Sequence, residues 1–575
     1  MKLVNKFLPI IVVIGLCYWA IAPLLHPGFF PMHDDEQVGR LHELHLDVIT
    51  GHLPPRLSQN LGYGYDYPLF NFYPSFVYYV AEIYHLLGFG YIVSIKLMIA
   101  TGFILAAVGM YWLSRHYFGR LAGVISAFLY TYASYHSVDV YVRGALPEFW
   151  SFVFFPFIFL GFTKIAKKPK ALWTIVTGVL MACFVLTHNL IALMSIPFVL
   201  GFLIYLLITT KKRKNFVYSV LSAGAIGVFL SAYFWLPALA EKQFTMVSLL
   251  TKELADYSLY FVYPIQFWYS PWGYGGSVAG MGDGLSFQIG KVYFLSITAV
   301  FVYAIFLLRK YKETASLLFL LIFLFLLSLF MQIATSKFVW DSLQSVMAYI
   351  QFPWRFLVIS FFFASFAAGA LFTAPFPIFK KKWVIYLQYL LGAVIIVVVL
   401  YKGITIFNPS KYLTDVTDND YVSENVIRWD TSSLAFEYVP SGIATKKSVR
   451  GNTVVNITKE QIAKTPFTSI SHDMNVKITK DIPQQKTALV TAETNGILQI
   501  NVYSFPGWHV FLDSQEVSYS SNNALKLLRV PVSKGTHTIS AVFKDTAART
   551  IGNILSGITA LGIIIFLITR IRRAK

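Results

Sequence analysis

The chain has 575 residues, 56% of them hydrophobic and only 13% charged, with a mean hydropathy of +0.60, which excludes a soluble globular protein. An aromatic content of 17% suits a surface lying in lipid and at the headgroup level. The formal net charge of +19 would suit a nucleic-acid binder, but the basic residues abut the ends of apolar segments, at Lys167-Lys168, Lys211-Lys212-Arg213-Lys214, Arg309-Lys310, Lys380-Lys381-Lys382 and 570–575, so they read as topology signals and no nucleic-acid partner is expected.

The first apolar run, 7–25, follows Lys2 and Lys6. It is too long for a signal-peptide core, and no small-residue cleavage site precedes Pro27-Gly28, so it reads as a retained signal-anchor helix. Further apolar segments lie near 91–113, 119–136, 148–165, 171–187, 190–209, 216–236, 289–308, 314–332, 355–374, 383–401 and 550–569. With the first run they predict a polytopic α-helical membrane protein of about twelve spans. Cys17 and Cys183 both fall inside apolar segments, so neither a disulfide framework nor a CxxC metal site is expected.

The Lys/Arg asymmetry puts both termini in the cytoplasm of a multi-pass plasma-membrane protein. The inner segments carry the basic clusters, while the short outer loops are poorer, with Arg40, Arg56, Arg143, Lys242, Lys252 and Lys337. This orientation requires that 70–87 not cross. The segment contains Tyr73, Pro74, Tyr78, Tyr79, Glu82, Tyr84 and His85, and reads as a helix lying at the outer interface.

The sequence then divides into a transmembrane domain, 1–401, with a first outer loop at 26–90, an extracytoplasmic domain, 402–549, and a final span with a basic tail, 550–575. The 402–549 segment alone has soluble composition. Alternation at 498–502 and 537–543, punctuated by Phe505-Pro506-Gly507-Trp508, Ser520-Ser521-Asn522-Asn523 and Lys534-Gly535, predicts a β-sandwich or jelly roll.

The first outer loop opens with His33-Asp34-Asp35-Glu36. Acids are costly inside a bilayer, so they belong at its aqueous edge. Asp34 could cap the amphipathic helix that follows, but a cap needs one acid and not three. Grouped carboxylates can act as a general base or hold a hard divalent cation such as Mg or Mn, with Asp34 and Asp35 as ligands and His42 as a weaker one. No HExxH motif is present. Downstream, Gly51 to Arg56 and 60–68 impose turns, and Tyr63 and Tyr67 suit either stacking on a sugar face or an aromatic belt.

Cations follow at outer helix boundaries. Arg143 and Glu148 are five residues apart and could form a local ion pair, or Arg143 could bind a phosphate. Lys96 could snorkel to the same level. Arg355, after Trp354, reads as an interface anchor or a second phosphate-binding cation, and His188 is a weaker candidate of the same kind. The glycine-rich run 273–284 reads as loop or lid. No GxxxxGK[ST], GxSxG or SxxK motif occurs, so no nucleotide cofactor and no serine nucleophile is signalled. Asn456-Ile457-Thr458 is a glycosylation sequon.

Taken in order, the single span, the acidic loop 34–36, the Gly51–Arg56 turn and the Tyr67-Pro68, Tyr73-Pro74, Tyr78-Tyr79 helix resemble the GT-C superfamily of polytopic glycosyltransferases. Arg143-Gly-Ala-x-x-Glu148, Gln351-Phe-Pro-Trp-Arg355, Glu437-Tyr-Val-Pro440 and Phe505-Pro-Gly-Trp508 look like YfhO-type membrane proteins and those labelled "6-pyruvoyl-tetrahydropterin synthase-related". The resemblance implies a polyprenyl-phosphate-linked sugar as donor and a glycan, lipid or protein as acceptor. Transfer would proceed with inversion on the outer face, with Asp34, Asp35 or Glu36 as base. Arg143, with Arg355 or Lys96, would then stabilise the departing lipid phosphate. A flippase of lipid-linked sugars would instead place ionisable groups along a path through the membrane, and a scaffold would leave the acids without a purpose.

Overall fold

The computed structural model describes residues 4–247, 256–373, 382–434, 436–447, 453–471 and 474–574. Of the basic residues read as topology signals, Lys2, Lys252, Lys380, Lys381 and Lys575 lie outside them. The chain packs as two units that alternate along the sequence. One comprises Met1–Asp35, Lys96–Val228 and Ala255–Val416; the other comprises Glu36–Ile95, Phe229–Leu254 and Thr417–Lys575. The first outer loop is thus shared between them, with the break between Asp35 and Glu36.

Each expected apolar segment is helical. Among the described residues seven helices are long and apolar enough to cross a membrane: Tyr91–Phe118, Leu146–Lys167, Asn189–Thr209, Lys312–Phe330, Pro353–Phe372, Trp383–Ile406 and Ala547–Arg572. Two more candidates are bent, Phe7–Leu16 with Tyr18–Leu25 by 41° and Arg213–Leu230 with Ala232–Phe244 by 62°. Arg120–Thr131, Ala171–Thr187 and Lys291–Leu307 are shorter. A helix rises 1.5 Å per residue, so the 12 residues of Arg120–Thr131 cover about 18 Å of a hydrocarbon core about 30 Å thick. By length and composition the described residues thus hold seven such helices, or up to nine if each bent pair is one span, with the three shorter apolar helices besides.

A helix that is apolar on all sides must be buried in protein or face lipid. Both cases occur. Pro353–Phe372 has 89% of its apolar window buried, whereas Ala547–Arg572 has 11% and turns its isoleucines outward. In the 70–87 segment the structure has a four-residue turn, Leu69–Phe72, and an 11-residue helix, Phe76–Leu86. At about 16 Å the latter is too short to cross.

The β-rich region belongs to the second unit. Its strands are β1 (Thr445–Lys447), β2 (Thr453–Val455), β3 (Phe467–Ser469), β4 (Met474–Ile482), β5 (Gln485–Ala492), β6 (Gly496–Tyr503), β7 (Trp508–Leu512), β8 (Gln515–Val517), β9 (Leu527–Val532) and β10 (Gly535–Phe543). A five-stranded sheet in the order β4-β5-β10-β7-β8 faces a three-stranded sheet, β3-β6-β9, and β1 pairs with β2 separately; all pairings are antiparallel. The inward positions of both sheets, among them Val490, Ile500, Val510, Val530 and Ile539, form one core, so the fold is a sandwich. Leu57 and Phe72 of the first outer loop are buried in the same core.

Candidate active site

The acidic motif is held in place by backbone. His33 N donates to Val142 O at 3.0 Å and Asp34 N donates to Arg143 O at 2.8 Å, so the start of the first outer loop runs against the 142–143 segment. The approach requires Gly144. Its φ is +69°, and a Cβ there would stand 2.2 Å from the Met32 sulfur, so any side chain would push the two segments apart. On the other side the His33 imidazole Nε2 lies 2.9 Å from Tyr274 O. Tyr274 sits in the glycine-rich 273–284 run, which folds back on itself through Gly275 N to Gly284 O and Gly284 N to Gly276 O, both 2.9 Å.

Residues Val138–Arg143 form a π-turn that brings Asp139 and Arg143 to one side. Glu148 lies in the first turn of Leu146–Lys167, behind Pro147, where a carboxylate is favoured by the helix dipole. Arg143 Nη1 donates to Asp139 Oδ1 at 2.6 Å, to Glu148 Oε2 at 3.0 Å and to Tyr135 Oη at 3.0 Å, while Tyr135 donates to Glu148 Oε1 at 2.5 Å. The guanidinium stacks 4.5 Å above the Trp354 ring. Arg355, from the Pro353–Phe356 turn, places Nε 3.3 Å from Glu148 Oε2 and donates from Nη1 to Ile350 O at 2.7 Å.

Buried charges are tolerated when paired and fully hydrogen-bonded. This cluster is paired but not completed. Trp354 Nε1, Arg355 Nε and Asp139 Oδ2 are buried without a hydrogen-bond partner. Burial and the nearby Glu148 carboxylate push the Asp139 carboxyl well up. Two guanidinium groups therefore converge on Glu148, and two buried N–H donors beside them, Arg355 Nε and Trp354 Nε1, are unused, which suits an acceptor-rich ligand such as an anion.

Of the three acids, Asp34 is exposed and Asp35 half-buried, and burial pushes the Asp35 carboxyl up to about 7. Among the described residues the Asp35 side chain has no ion-pair partner. Glu36 differs. It is buried and ion-paired to Arg40, whose guanidinium also lies 4.1 Å over the Tyr73 ring. A carboxylate neutralised in this way is a poor proton acceptor.

His188 caps the Asn189–Thr209 helix, its Nδ1 accepting from Ile191 N at 3.2 Å, so a neutral ring carries its proton on Nε2. Burial pushes this imidazole down to about 3, and Glu148, Arg355 and Arg143 are its charged neighbours. Lys96 does not join the cluster; its Nζ donates to His26 O at 2.7 Å. Tyr63 and Tyr67, expected as sugar-stacking residues, are 2% and 0% exposed, so neither ring offers a free face. Tyr63 packs 6.1 Å from Trp429, and Tyr67 Oη accepts from Tyr438 N at 3.0 Å and lies 3.4 Å from Glu437 Oε2.

His42 Nδ1 is 3.1 Å from the Tyr91 hydroxyl, and no three His, Cys, Asp or Glu among the described residues are grouped to hold an ion. A Mg ion is commonly held by one or two carboxylates together with waters and a substrate phosphate, so Asp34 and Asp35 are the residues that would hold one. Sequence reading missed Tyr135 and Asp139. Asp139, four residues before Arg143 at an outer boundary, was visible as an i,i+4 partner; Tyr135 carried no such signal.

No family model matches the sequence, and no curated protein does. Among solved structures, the chain is similar to the Archaeoglobus fulgidus oligosaccharyltransferase tethered to an acceptor peptide containing the NVT sequon, at 13% identity and a TM-score of 0.41, covering 71% of this chain and 55% of that one. The same enzyme in complex with Zn and sulfate matches at 14% identity and a TM-score of 0.36, covering 70% and 54%. ArnT from Cupriavidus metallidurans, bound to undecaprenyl phosphate, matches at 12% identity and a TM-score of 0.37, covering 76% and 78%. The chain thus spans about half the length of the oligosaccharyltransferase it matches. Likeness of this degree assigns neither an activity nor a residue role.

Proposed function

We propose that the protein is a membrane glycosyltransferase that moves a sugar from a polyprenyl-phosphate-linked donor to an acceptor on the extracytoplasmic face. The supporting observation is the pair of backbone hydrogen bonds that clip the 33–34 segment to 142–143, beside a buried arginine–carboxylate cluster with unused donors, with Asp35, whose carboxyl burial pushes up to about 7, next in the chain. A base is most effective when its pKa lies near the working pH. In this reading Asp35 takes the proton of the acceptor hydroxyl, whose oxygen attacks the anomeric carbon with inversion. Arg143 and Arg355, with the Trp354 N–H, receive the lipid phosphate as its charge develops. Glu148, Tyr135 and Asp139 hold Arg143 in position. No step is routed through a metal.

In this reading both termini are cytoplasmic, and the β-sandwich and the acidic loop face outward. The alternative of a flippase is disfavoured by the charge placement, because acids and cations collect at one set of helix ends. The test is transfer from a radiolabelled polyprenyl-phosphate sugar by purified chain in detergent, wild type against Asp35→Asn and Arg355→Ala. Loss in both, with folding intact, supports the reading; full activity in both removes it.

A further inference from the structure

Within the 60–68 motif the acid, more than the rings, has unusual surroundings. Asp66 is 0% exposed and its φ is +51°, a left-handed backbone that a non-glycine residue rarely adopts unless the fold imposes it. Lys486, on β5, is also buried, and its Nζ lies 3.2 Å from Asp66 Oδ1. Neither Asp66 oxygen has a hydrogen-bond partner, so the contact lacks the geometry of an ordinary buried ion pair. Lys486 Nζ donates instead to Asp481 Oδ1 at 2.7 Å and to Ile482 O at 3.2 Å. Asp481 is partly open to solvent and can exchange protons with it.

We propose that Asp66 and Lys486 are a modification site, a pair placed to condense into an intramolecular side-chain amide that ties the first outer loop to the β-sandwich. The groups are complementary, in contact and shielded from water, and holding reactants in this way replaces a bimolecular encounter with an effectively intramolecular one. Burial pushes the Asp66 carboxyl up to about 7, so the neutral acid that an amine can attack is populated near neutral pH. Asp481 takes one proton from the Lys486 ammonium. The freed Nζ lone pair adds to Cγ of the neutral Asp66 acid, the Cγ–OH bond breaks, and the hydroxyl leaves as water with a second proton from Nζ, while Asp481 passes its proton to solvent. Ammonium and neutral acid become one amide, one water and one released proton, with no oxidant or co-reactant.

The test is the mass of the whole wild-type chain, purified in detergent and then denatured. It should be lighter by one water than the sequence requires, and proteolysis should give a branched peptide joining the Asp66 and Lys486 segments. Lys486→Arg and Asp66→Ala should restore the full mass, which can be read even if those variants fold poorly. A wild-type chain at full mass overturns the proposal, as does a water loss mapped to any other residues.

Discussion

Two buried arginine–carboxylate clusters in this chain have the same chemistry and different completeness. In the second unit Arg549 donates from Nε and Nη2 to Glu241 Oε2 at 3.1 and 2.7 Å, from Nη2 to Pro506 O at 2.8 Å and from Nη1 to Lys544 O at 3.3 Å. Every guanidinium nitrogen has an acceptor, and Glu241 also accepts from Thr546 and Asn71. In the first unit Arg143 and Glu148 are buried and Arg355 is half-buried, and Arg355 Nε and Trp354 Nε1 are left over. A closed network holds structure together. An open one has capacity for a ligand, and it is the open one that lies beside Asp34.

The comparison can be broken or sharpened by substitution. The largest effect on rate is expected from Asp35→Asn, which removes the base and should lower transfer by about 10²–10⁴-fold. Its unfolding midpoint at neutral pH should hold or rise, because the side chain has no ion-pair partner to lose and the neutral amide escapes the burial cost that raises the Asp35 pKa; a large drop in stability would show that Asp35 holds the fold. Arg355→Ala should lower transfer by about 10²–10³-fold, read at saturating donor so that the loss appears in turnover.

Arg549→Ala should do the opposite. It strands the Glu241 carboxylate and should cost about 3–5 kcal/mol in unfolding experiments, while the molecules that remain folded keep their specific activity. Were Arg549→Ala folded but inactive, the distinction between closed and open clusters would fail. The smallest effect on rate is expected from Glu36→Gln. It loses the partner of Arg40 and should lower stability, but transfer by the folded fraction should change by less than about tenfold; abolished transfer in a stable protein would make Glu36 the base.

Much of this was legible in the sequence. Long apolar runs declared the helices, and strict alternation at 498–502 and 537–543 declared β6 and β10. β4 carries a similar alternation at Met474, Val476 and Ile478, and Met474 and Val476 pack against the sandwich core. The acidic motif stood out because acids near a bilayer are costly, yet the sequence offered no way to rank Asp35 above Glu36. That ranking depends on Arg40, four residues on, being spent on Glu36. The membership of Leu57 and Phe72 in the sandwich core is a long-range packing fact with no local pattern. The Phe505-Pro-Gly-Trp508 motif, read as a turn and as part of a family resemblance, proves to seat Arg549 through the Pro506 carbonyl.

Proton linkage offers the most direct measurement. Burial pushes the Asp35 carboxyl up to about 7 in the folded chain, against about 3.9 when unfolded. The folded state therefore binds more protons between those values, and the stability this group contributes is present below the lower value and lost as pH rises through the upper one. Activity runs the other way, since only the carboxylate can accept a proton. Transfer measured from about pH 5 to 8 should climb roughly tenfold per unit, level off above about 7, and lose that limb in Asp35→Asn. A flat wild-type profile, or a limb that survives in the variant, would contradict the assignment of Asp35 as the base.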